Sequence, residues 1–336
     1  MDDILPAYSP LATRLPSLYA ADARTARRVL EFFTANINNP HTRKAYAQAA
    51  REFAGWCDRH GVGHLRDVQP IHVAAHIQEL QRRIAIPSVK VQLAGIRMLF
   101  DWLVLGQVMP ANPASVVRGP KHQVRKGATP VLTAEETRAL LDSIETTSLI
   151  GLRDRALIAL MTYTFARVGA AAGKMRLDDV YVQGRRTWVR LHEKGGKRHE
   201  MPCHHKLETY LQDYVEARRT SKEKPKGNPK ESPKPVFDLK AWLFPTIGSR
   251  NGMLTDRPMS QVDVYRMVRR RALAAGIKTQ IGCHTFRATG ITEYLRNGGK
   301  LEIAQRMANH ESSRTTGLYD RRSDQVSLDE VERILI

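Results

Sequence analysis

The feature that most constrains the fold is the spacing of apolar residues in the first third of the chain. Between residues 42 and 56 they recur at intervals of three and four, and the same spacing returns in segments that begin near Pro70 and Pro87. A stripe with this spacing lies along one face of an α-helix. Residues 29–111 are therefore predicted to form a compact module of about four helices.

In the segment that begins near Pro87, individual residues predict where the helix starts and ends. Its inward stripe includes Val91, Ile96 and Leu99, and Gly106 ends the helix. Ser88 is the predicted N-cap, because a serine hydroxyl can accept a hydrogen bond from the first helical turn.

After residue 180 the spacing of apolar residues changes from a helical period to a period of two. Residues 180–182, 187–192 and 198–201 read as short strands, with Gly195-Gly196 as the hairpin turn between the last two. Helical spacing returns from Lys206 onward. The predicted fold class is therefore mainly α with a small β-sheet, in which a helical domain precedes a mixed α+β domain.

Changes in composition divide the chain further. A stretch with Pro, Gly and cations but almost no apolar residue marks a linker, and a Lys/Pro-rich stretch with nothing to bury marks a surface insertion. The capping-box pattern of Thr133 to Glu136 opens the second domain. The predicted segments are an arm or short leading helix at 1–28, the helical domain at 29–111, the basic linker at 112–130 and the second domain at 131–336, with the insertion at 220–235 and a C-terminal helix at 327–336.

The charge balance predicts a polyanionic partner. The chain has 53 Lys and Arg residues against 34 Asp and Glu, a net charge of +19. An excess of this size favours nucleic acid, since binding releases the counterions held by phosphates. Double-stranded DNA is the expected partner, although the same cations could form a solvated surface. The candidate contacts lie on the outer face of a helix, in the linker and on a later basic helix: Arg43, Lys44, Lys121, Arg125, Lys126 and Arg270.

Cysteine usage and the chain start indicate an intracellular protein without a metal site. Cys57, Cys203 and Cys283 are far apart and form no CxxC pair. The start lacks a basic segment followed by an apolar run, and no stretch approaches ~18 apolar residues. We therefore expect a cytosolic protein, or a nuclear one if the host has a nucleus.

The last quarter of the chain contains side chains suited to phosphodiester chemistry. His284 and Arg287 lie one helical turn apart, and His310 and Tyr319 follow on short predicted helices. Such chemistry needs fixed cations around the phosphate, a group that moves protons and a hydroxyl nucleophile. Each residue also has a plainer explanation: a solvated His–Arg pair, a helix-capping histidine, or one of ten tyrosines with a structural role.

The order of these residues resembles the active site of the tyrosine recombinases, the phage integrase family. The resemblance covers roughly residues 30–325, and in it residues 29–111 correspond to the core-binding domain and 131–336 to the catalytic domain. It implies a site-specific recombinase from a mobile element or plasmid that acts as a homotetramer on paired DNA sites. The matching residues are Arg167, Lys194, His284, Arg287, His310 and Tyr319.

The resemblance also implies a role for each of these residues. Tyr319 attacks the scissile phosphorus and forms a 3′-phosphotyrosine link, while Arg167 and Arg287 stabilise the non-bridging oxygens. His310 adds a neutral donor and His284 relays the proton. Lys194 protonates the leaving 5′ oxygen, with Lys197 on the same turn as the alternative. No ATP is required, because one phosphoester replaces another, and no metal is required, because the arginines supply the positive charge. The resemblance thus implies no cofactor, and it implies a protein of the bacterial cytoplasm, at the nucleoid.

The sequence departs from the family at two places. The family usually has a carboxylate three residues after the first arginine, where this chain has Ala170. That carboxylate orients its neighbours, so its absence predicts an altered site organisation. The family usually has Leu-Gly before the second histidine, where this chain has Ala308-Asn309. Asparagine tolerates the left-handed backbone conformation, so the turn is expected to survive.

Two other functions stay open from the sequence. A regulator descended from a recombinase would bind DNA without cleaving it, as the missing carboxylate allows. A type IB topoisomerase-like enzyme would share the chemistry but act as a monomer. A metal-dependent nuclease is disfavoured, because Asp178, Asp179 and Glu193 lack ligand spacing. The recombinase hypothesis requires both arginines and Tyr319 to face one pocket, with neither guanidinium buried against an internal acid.

Overall fold

A computed structural model describes residues 15–122, 127–193, 196–220, 238–248 and 253–321, together with Glu332. The chain divides into two compact units, residues 1–123 and 124–336. Several predictions fall outside the described residues: Arg125, Lys126, Lys194, nearly all of the 220–235 insertion and the C-terminal helix at 327–336 apart from Glu332.

The first unit is helical in the part that the structure describes. A 3₁₀ turn at Ser17–Tyr19 leads into helix α1 (Ala23–Glu31), which continues as a π-helical turn at Phe32–Asn36. A second 3₁₀ turn at Leu65–Asp67 precedes helix α3 (Pro70–Arg83). Asp22 caps α1 by accepting a hydrogen bond from the Thr25 amide at 2.8 Å. The helices are α1 (Ala23–Glu31), α2 (Pro40–Arg59), α3 (Pro70–Arg83) and α4 (Ile86–Leu105).

Leu18 and Tyr19, which precede the first helix, are part of the core of this unit. Tyr19 is buried, and its hydroxyl donates to the Ala50 carbonyl at 3.0 Å. Two details of α4 differ from the sequence prediction. Ala85, not Ser88, is its N-cap, because the helix starts with Pro87 in its first turn. Val91 is 45 % exposed instead of facing inward.

In the residues that the structure describes, the second unit combines helices with two small antiparallel sheets. Its first helix begins at the predicted capping box, in which Thr133 accepts from the Glu136 amide and Glu136 accepts from the Thr133 amide. The helices are α5 (Ala134–Asp142), α6 (Leu149–Tyr163), α7 (Val168–Ala171), α8 (His205–Thr220), α9 (Gln261–Ala274), α10 (Cys283–Arg296), α11 (Leu301–Met307) and α12 (Ser313–Gly317).

The three predicted strands form one sheet in the order β1-β2-β3: β1 is Val180–Gln183, β2 is Arg186–His192 and β3 is Arg198–Pro202. In the antiparallel register Val189 of β2 pairs with Val180 and with Met201. Val189 is fully buried, so one face of β2 packs on the core of the unit. A second hairpin, β4 (Pro245–Ile247) with β5 (Leu254–Pro258), was not predicted from the sequence.

Helix α10 packs closely against the end of α6 in the second unit. A Cβ atom on Gly290 of α10 would lie 2.1 Å from the carbonyl oxygen of Thr162. Only glycine allows backbones to come this close. The fold is therefore mainly α with small antiparallel sheets, as the sequence predicts. Among the helices that the structure describes, none is long and apolar enough to span a membrane.

Candidate active site

Arg287 is the buried centre of the candidate site. It lies on α10, its side chain is 1 % exposed, and its two terminal nitrogens donate to the carbonyl oxygens of Phe165 and, at 2.6 Å, Ala308. Both carbonyls belong to turns with left-handed residues, since Phe165 has φ +54° and Asn309 has φ +48°. The guanidinium thus links, by hydrogen bonds, the turn before Arg167 and the turn before His310. The left-handed turn predicted at Asn309 is confirmed.

Tyr319 lies directly against His284. The two side chains share a hydrogen bond of 2.7 Å between Tyr319 Oη and His284 Nε2. Tyr319 is 8 % exposed, and its carbonyl accepts a hydrogen bond from the Thr292 hydroxyl of α10 at 3.0 Å. Tyr319, two residues after the end of α12, is therefore held at both its main chain and its side chain.

His310 packs on the other side of Tyr319. The two rings are nearly parallel, at 9° with centroids 5.9 Å apart, and His310 Nδ1 lies 2.9 Å from the hydroxyl of Thr316. Burial, followed by the positive charges of Arg287 and Arg167 and then by His284, lowers the pKa of His310 to about 3. The imidazole is therefore neutral at neutral pH, as the sequence-based role for it requires.

Arg167 is the more accessible of the two predicted arginines. It caps α7, its side chain is 41 % exposed, and its Nη1 donates to Glu193 Oε2 at 2.8 Å. Glu193, at the end of β2, is 4 % exposed. Arg167 thus contacts an internal acid, but its side chain is not buried, so the sequence-based requirement that neither guanidinium be buried against an acid is met.

The positive charges of Arg167 and Arg287 act on neighbouring groups of the candidate site. Burial, followed by the charge of Arg167, lowers the pKa of Arg287 to about 10, against the opposing effect of Tyr319 and Glu193. Part of His284 stays exposed, but loss of water around its ring and the charges of Arg287 and Arg167 lower its pKa below the ordinary value. The structure thus brings together five of the six predicted residues.

The sixth, Lys194, lies outside the described residues. The alternative lysine on the same turn, Lys197, is 60 % exposed, and its Nζ lies 3.1 Å from Glu311 Oε1. An exposed ion pair of this kind contributes little to stability.

The candidate DNA contacts are not equivalent in the structure. Lys44 and Lys121 are exposed. Arg43 instead donates Nη2 to the carbonyl of Ile37 at 2.7 Å, within its own unit. Arg270 is 58 % exposed and has one nitrogen 3.4 Å from Asp154 Oδ2. Asp154 is fully buried and also binds Arg271 at 2.8 Å, so part of the charge of α9 is neutralised internally.

Three residues of the candidate site were not predicted from the sequence: Glu193, Thr316 and Thr292. Glu193 was considered only as a metal ligand, although its place directly before the predicted lysine could have drawn attention to it. No local sequence pattern marks Thr316 or Thr292 as part of the site. Within the described residues, no group of three or more His, Cys, Asp or Glu side chains could hold a metal ion.

A helical fold in which a tyrosine hydroxyl meets a histidine beside two arginines defines a DNA breaking-and-rejoining enzyme of the tyrosine type. Comparison with known proteins identifies the family. The sequence profile of the phage integrase family matches residues 130–325, more than half of the chain. The chain belongs to this family, and it is a tyrosine recombinase.

Curated relatives carry the same family name. The chain is 27 % identical over 301 residues to the tyrosine recombinase XerD of Chlorobaculum tepidum, a match that covers 88 % of this chain and 91 % of the relative. It is 28 % identical over 233 residues to the tyrosine recombinase XerC of Myxococcus xanthus, covering 68 % and 69 %.

Solved structures show the same fold. The XerH site-specific recombinase in its post-cleavage complex with palindromic difH has a TM-score of 0.66 at 17 % identity, covering 96 % of this chain and 92 % of that one. A lambda integrase tetramer bound to a Holliday junction has a TM-score of 0.63 at 17 % identity, covering 90 % and 79 %.

Proposed function

We propose that this enzyme recombines two specific duplex sites by cleaving one strand at a time through a 3′-phosphotyrosine intermediate. The observation that carries the proposal is the 2.7 Å hydrogen bond between Tyr319 and His284. Burial, together with the charges of Arg287 and Arg167, lowers the pKa of that histidine. A neutral imidazole held against a phenol can take its proton. The arginines supply positive charge where a phosphate must sit.

In the cleavage step Tyr319 Oη forms a bond to the scissile phosphorus as the bond from phosphorus to the 5′ oxygen breaks. The phenolic proton passes to His284 Nε2. The leaving 5′ oxygen takes a proton from Lys194, with Lys197 as the alternative donor. Rejoining reverses these transfers, when a 5′-hydroxyl from the partner duplex attacks the phosphotyrosine. The number of phosphoester bonds is conserved, so the step needs no ATP.

The other groups stabilise the charge that develops on the non-bridging oxygens. A guanidinium has five N–H donors, and Arg287 uses two of them on backbone carbonyls. If the Thr316 hydroxyl, 2.9 Å from His310 Nδ1, is the donor of their hydrogen bond, the neutral imidazole carries its hydrogen on Nε2 and can donate it to the phosphate. Each such donor is worth roughly 3–4 kcal/mol to the transition state.

The remainder of the chain brings DNA to this site. We assign DNA binding to the helical domain at 29–111 and the linker at 112–130, and catalysis to 131–336. Exposed cations such as Lys44 and Lys121 give affinity, while contacts to base edges select the site. A homotetramer on paired sites, in the bacterial cytoplasm, is the proposed assembly, and a lambda integrase tetramer on a Holliday junction supports it by analogy.

A nicked suicide substrate tests the proposal. A binding site is first selected from a random duplex library and then rebuilt with a nick, so that the short strand diffuses away and the covalent adduct accumulates. The parent chain should form an adduct that is absent in Tyr319→Phe. Tight binding without any adduct would indicate a regulator. Relaxation of plasmid that lacks the selected site would indicate a topoisomerase.

A further inference from the structure

The chain lacks the carboxylate that the family places three residues after the first arginine. Ala170 occupies that position in α7, is 3 % exposed, and its amide donates to the Arg167 carbonyl at 2.9 Å. This turn brings the side chain at residue 170 back toward the side of the helix from which Arg167 extends. A methyl group there offers Arg167 no hydrogen-bond acceptor.

A carboxylate from another element meets Arg167 instead. Glu193 Oε2 lies 2.8 Å from Arg167 Nη1, and Glu193 is the one hydrogen-bond partner of that side chain within the described part of the chain. The carboxylate approaches a single terminal nitrogen. Arg167 Nε and Nη2 therefore stay available for the oxygens of a phosphate.

The main chain of Glu193 is held on both sides. Its amide donates to the Lys197 carbonyl at 2.8 Å, and its carbonyl accepts from Lys174 Nζ at 3.3 Å. With the residue itself 4 % exposed, the carboxylate cannot follow Arg167 into solvent. Movement of the arginine would leave a buried acid without its partner, which is unfavourable.

We propose that Glu193 is the positioning residue for Arg167 and replaces the carboxylate that is missing at Ala170. The inference rests on the proposed function, since it assigns the orientation of a group in that reaction. An exposed arginine samples many rotamers, and a fixed acid restricts it to the one that faces the scissile phosphate. Pre-organised donors of this kind contribute to the rate, because they need no reorganisation during the reaction.

The test compares Glu193→Gln with Glu200→Gln on the nicked substrate. Glu200 lies on β3 and pairs with Arg190 at 2.7 Å across the same strand pair, so its substitution also removes an Arg–Glu ion pair. Glu193→Gln should slow adduct formation about 100-fold, the cost of a misplaced catalytic group. It should not weaken DNA binding, since it removes a negative charge. Glu200→Gln should cleave at the parental rate.

Restoration of the family's carboxylate separates positioning from a merely structural role. Ala170→Glu, added to Glu193→Gln, should recover most of the lost rate because it again gives Arg167 an acid one turn away. Parental cleavage by Glu193→Gln overturns the inference, and so does a double variant that unfolds at the same denaturant concentration as Glu193→Gln yet recovers none of the lost rate. A parent chain that forms no Tyr319-dependent adduct overturns the proposed function, and the inference falls with it.

Discussion

His284 Nε2 lies 2.7 Å from the hydroxyl oxygen of Tyr319, and the histidine is held on α10 one turn before Arg287. This geometry allows the ring to accept the phenolic proton directly. We therefore predict that His284→Gln, which can still bond to the phenol but cannot take up a proton, slows adduct formation by about 10²–10⁴-fold. Single-turnover rates on the nicked substrate measure this effect. A parental rate in the variant would assign the proton to another group.

The same contact predicts a pH dependence. Burial and the neighbouring arginines lower the pKa of His284, so the imidazole stays neutral, and able to accept a proton, below the ordinary histidine value. The cleavage rate should therefore hold as the pH falls through about 6.5 and decline only at lower pH. His310, with a pKa of about 3, titrates lower still. If the cleavage rate of His284→Gln declined over the same range of low pH as that of the parent, His284 would not be the group whose protonation limits cleavage.

The lowered pKa of His310 predicts that the folded protein loses stability in acid. Its pKa is about 3 in the folded protein and near the ordinary ~6.5 in the unfolded chain, so below pH 6.5 the unfolded chain binds a proton that the folded one does not. The stabilisation is complete above pH 6.5 and is lost as the pH falls toward 3. At pH 5 this costs up to about 2 kcal/mol of unfolding free energy.

Denaturant titrations of the parent and of His310→Gln, at pH 7 and at pH 5, measure that loss. The variant should lose less stability between the two pH values than the parent, whatever its stability at pH 7. Equal losses in both proteins would show that His310 is not the group responsible. His76, which is buried and has its pKa lowered to about 4, contributes with the same sign in both proteins and cancels in the comparison.

The two arginines should respond differently to replacement by lysine. Arg287 bridges the carbonyls of Phe165 and Ala308 with separate nitrogens, which a single ammonium cannot do. Arg287→Lys should therefore lower the unfolding free energy by about 3 kcal/mol. Arg167→Lys should lower it by less than about 1 kcal/mol, because that side chain is 41 % exposed. Both should lose cleavage activity.

Thermal or denaturant unfolding of the two variants, run beside the adduct assay, separates these effects. Equal destabilisation of both variants would mean that the bridge between the two carbonyls does not hold the turns together. A stable, active Arg287→Lys would remove this residue from the proposed site.

Local sequence patterns predict most of the helices and the three-stranded sheet, because those elements depend on neighbouring residues. The helix Pro70–Arg83 and the capping box at Thr133 are examples. The hairpin of β4 and β5 was missed, since its strands have three and five residues and little alternation. Val91 was placed inward wrongly, because its spacing fits the apolar stripe although its side of α4 is 45 % exposed.

The candidate site likewise contains residues that the sequence predicts and contacts that it does not. Ordered spacing along the chain indicates Arg167, His284 and Tyr319, and the structure brings them together. The Arg167–Glu193 contact joins residues 26 positions apart on different elements, so only tertiary packing creates it. The burial of Arg287 against two carbonyls is also invisible in sequence, where an arginine one turn after a histidine looks like an exposed pair.

The segment that carries Tyr319 is also held by residues just before α5. The Gly127 amide donates to the Leu318 carbonyl at 2.9 Å, and Arg321 Nη2 donates to the Thr129 carbonyl at 2.6 Å. A Cβ atom on Gly127 would lie 2.7 Å from Leu318 O, so Gly127→Ala must displace the backbone next to Tyr319. We predict slower adduct formation, about 10²-fold for a shift of 1 Å, with unchanged DNA affinity.

Gly317→Ala is the matched control for this variant. It adds the same methyl group two residues before Tyr319, yet a Cβ atom at Gly317 meets nothing within 4 Å. This variant should cleave at the parental rate, because a methyl in open space displaces no backbone. If Gly127→Ala also cleaves at the parental rate, the contact between Gly127 and Leu318 does not set the position of the tyrosine. If both variants are slow, the segment tolerates no added methyl group, and the contact with Leu318 is not the cause.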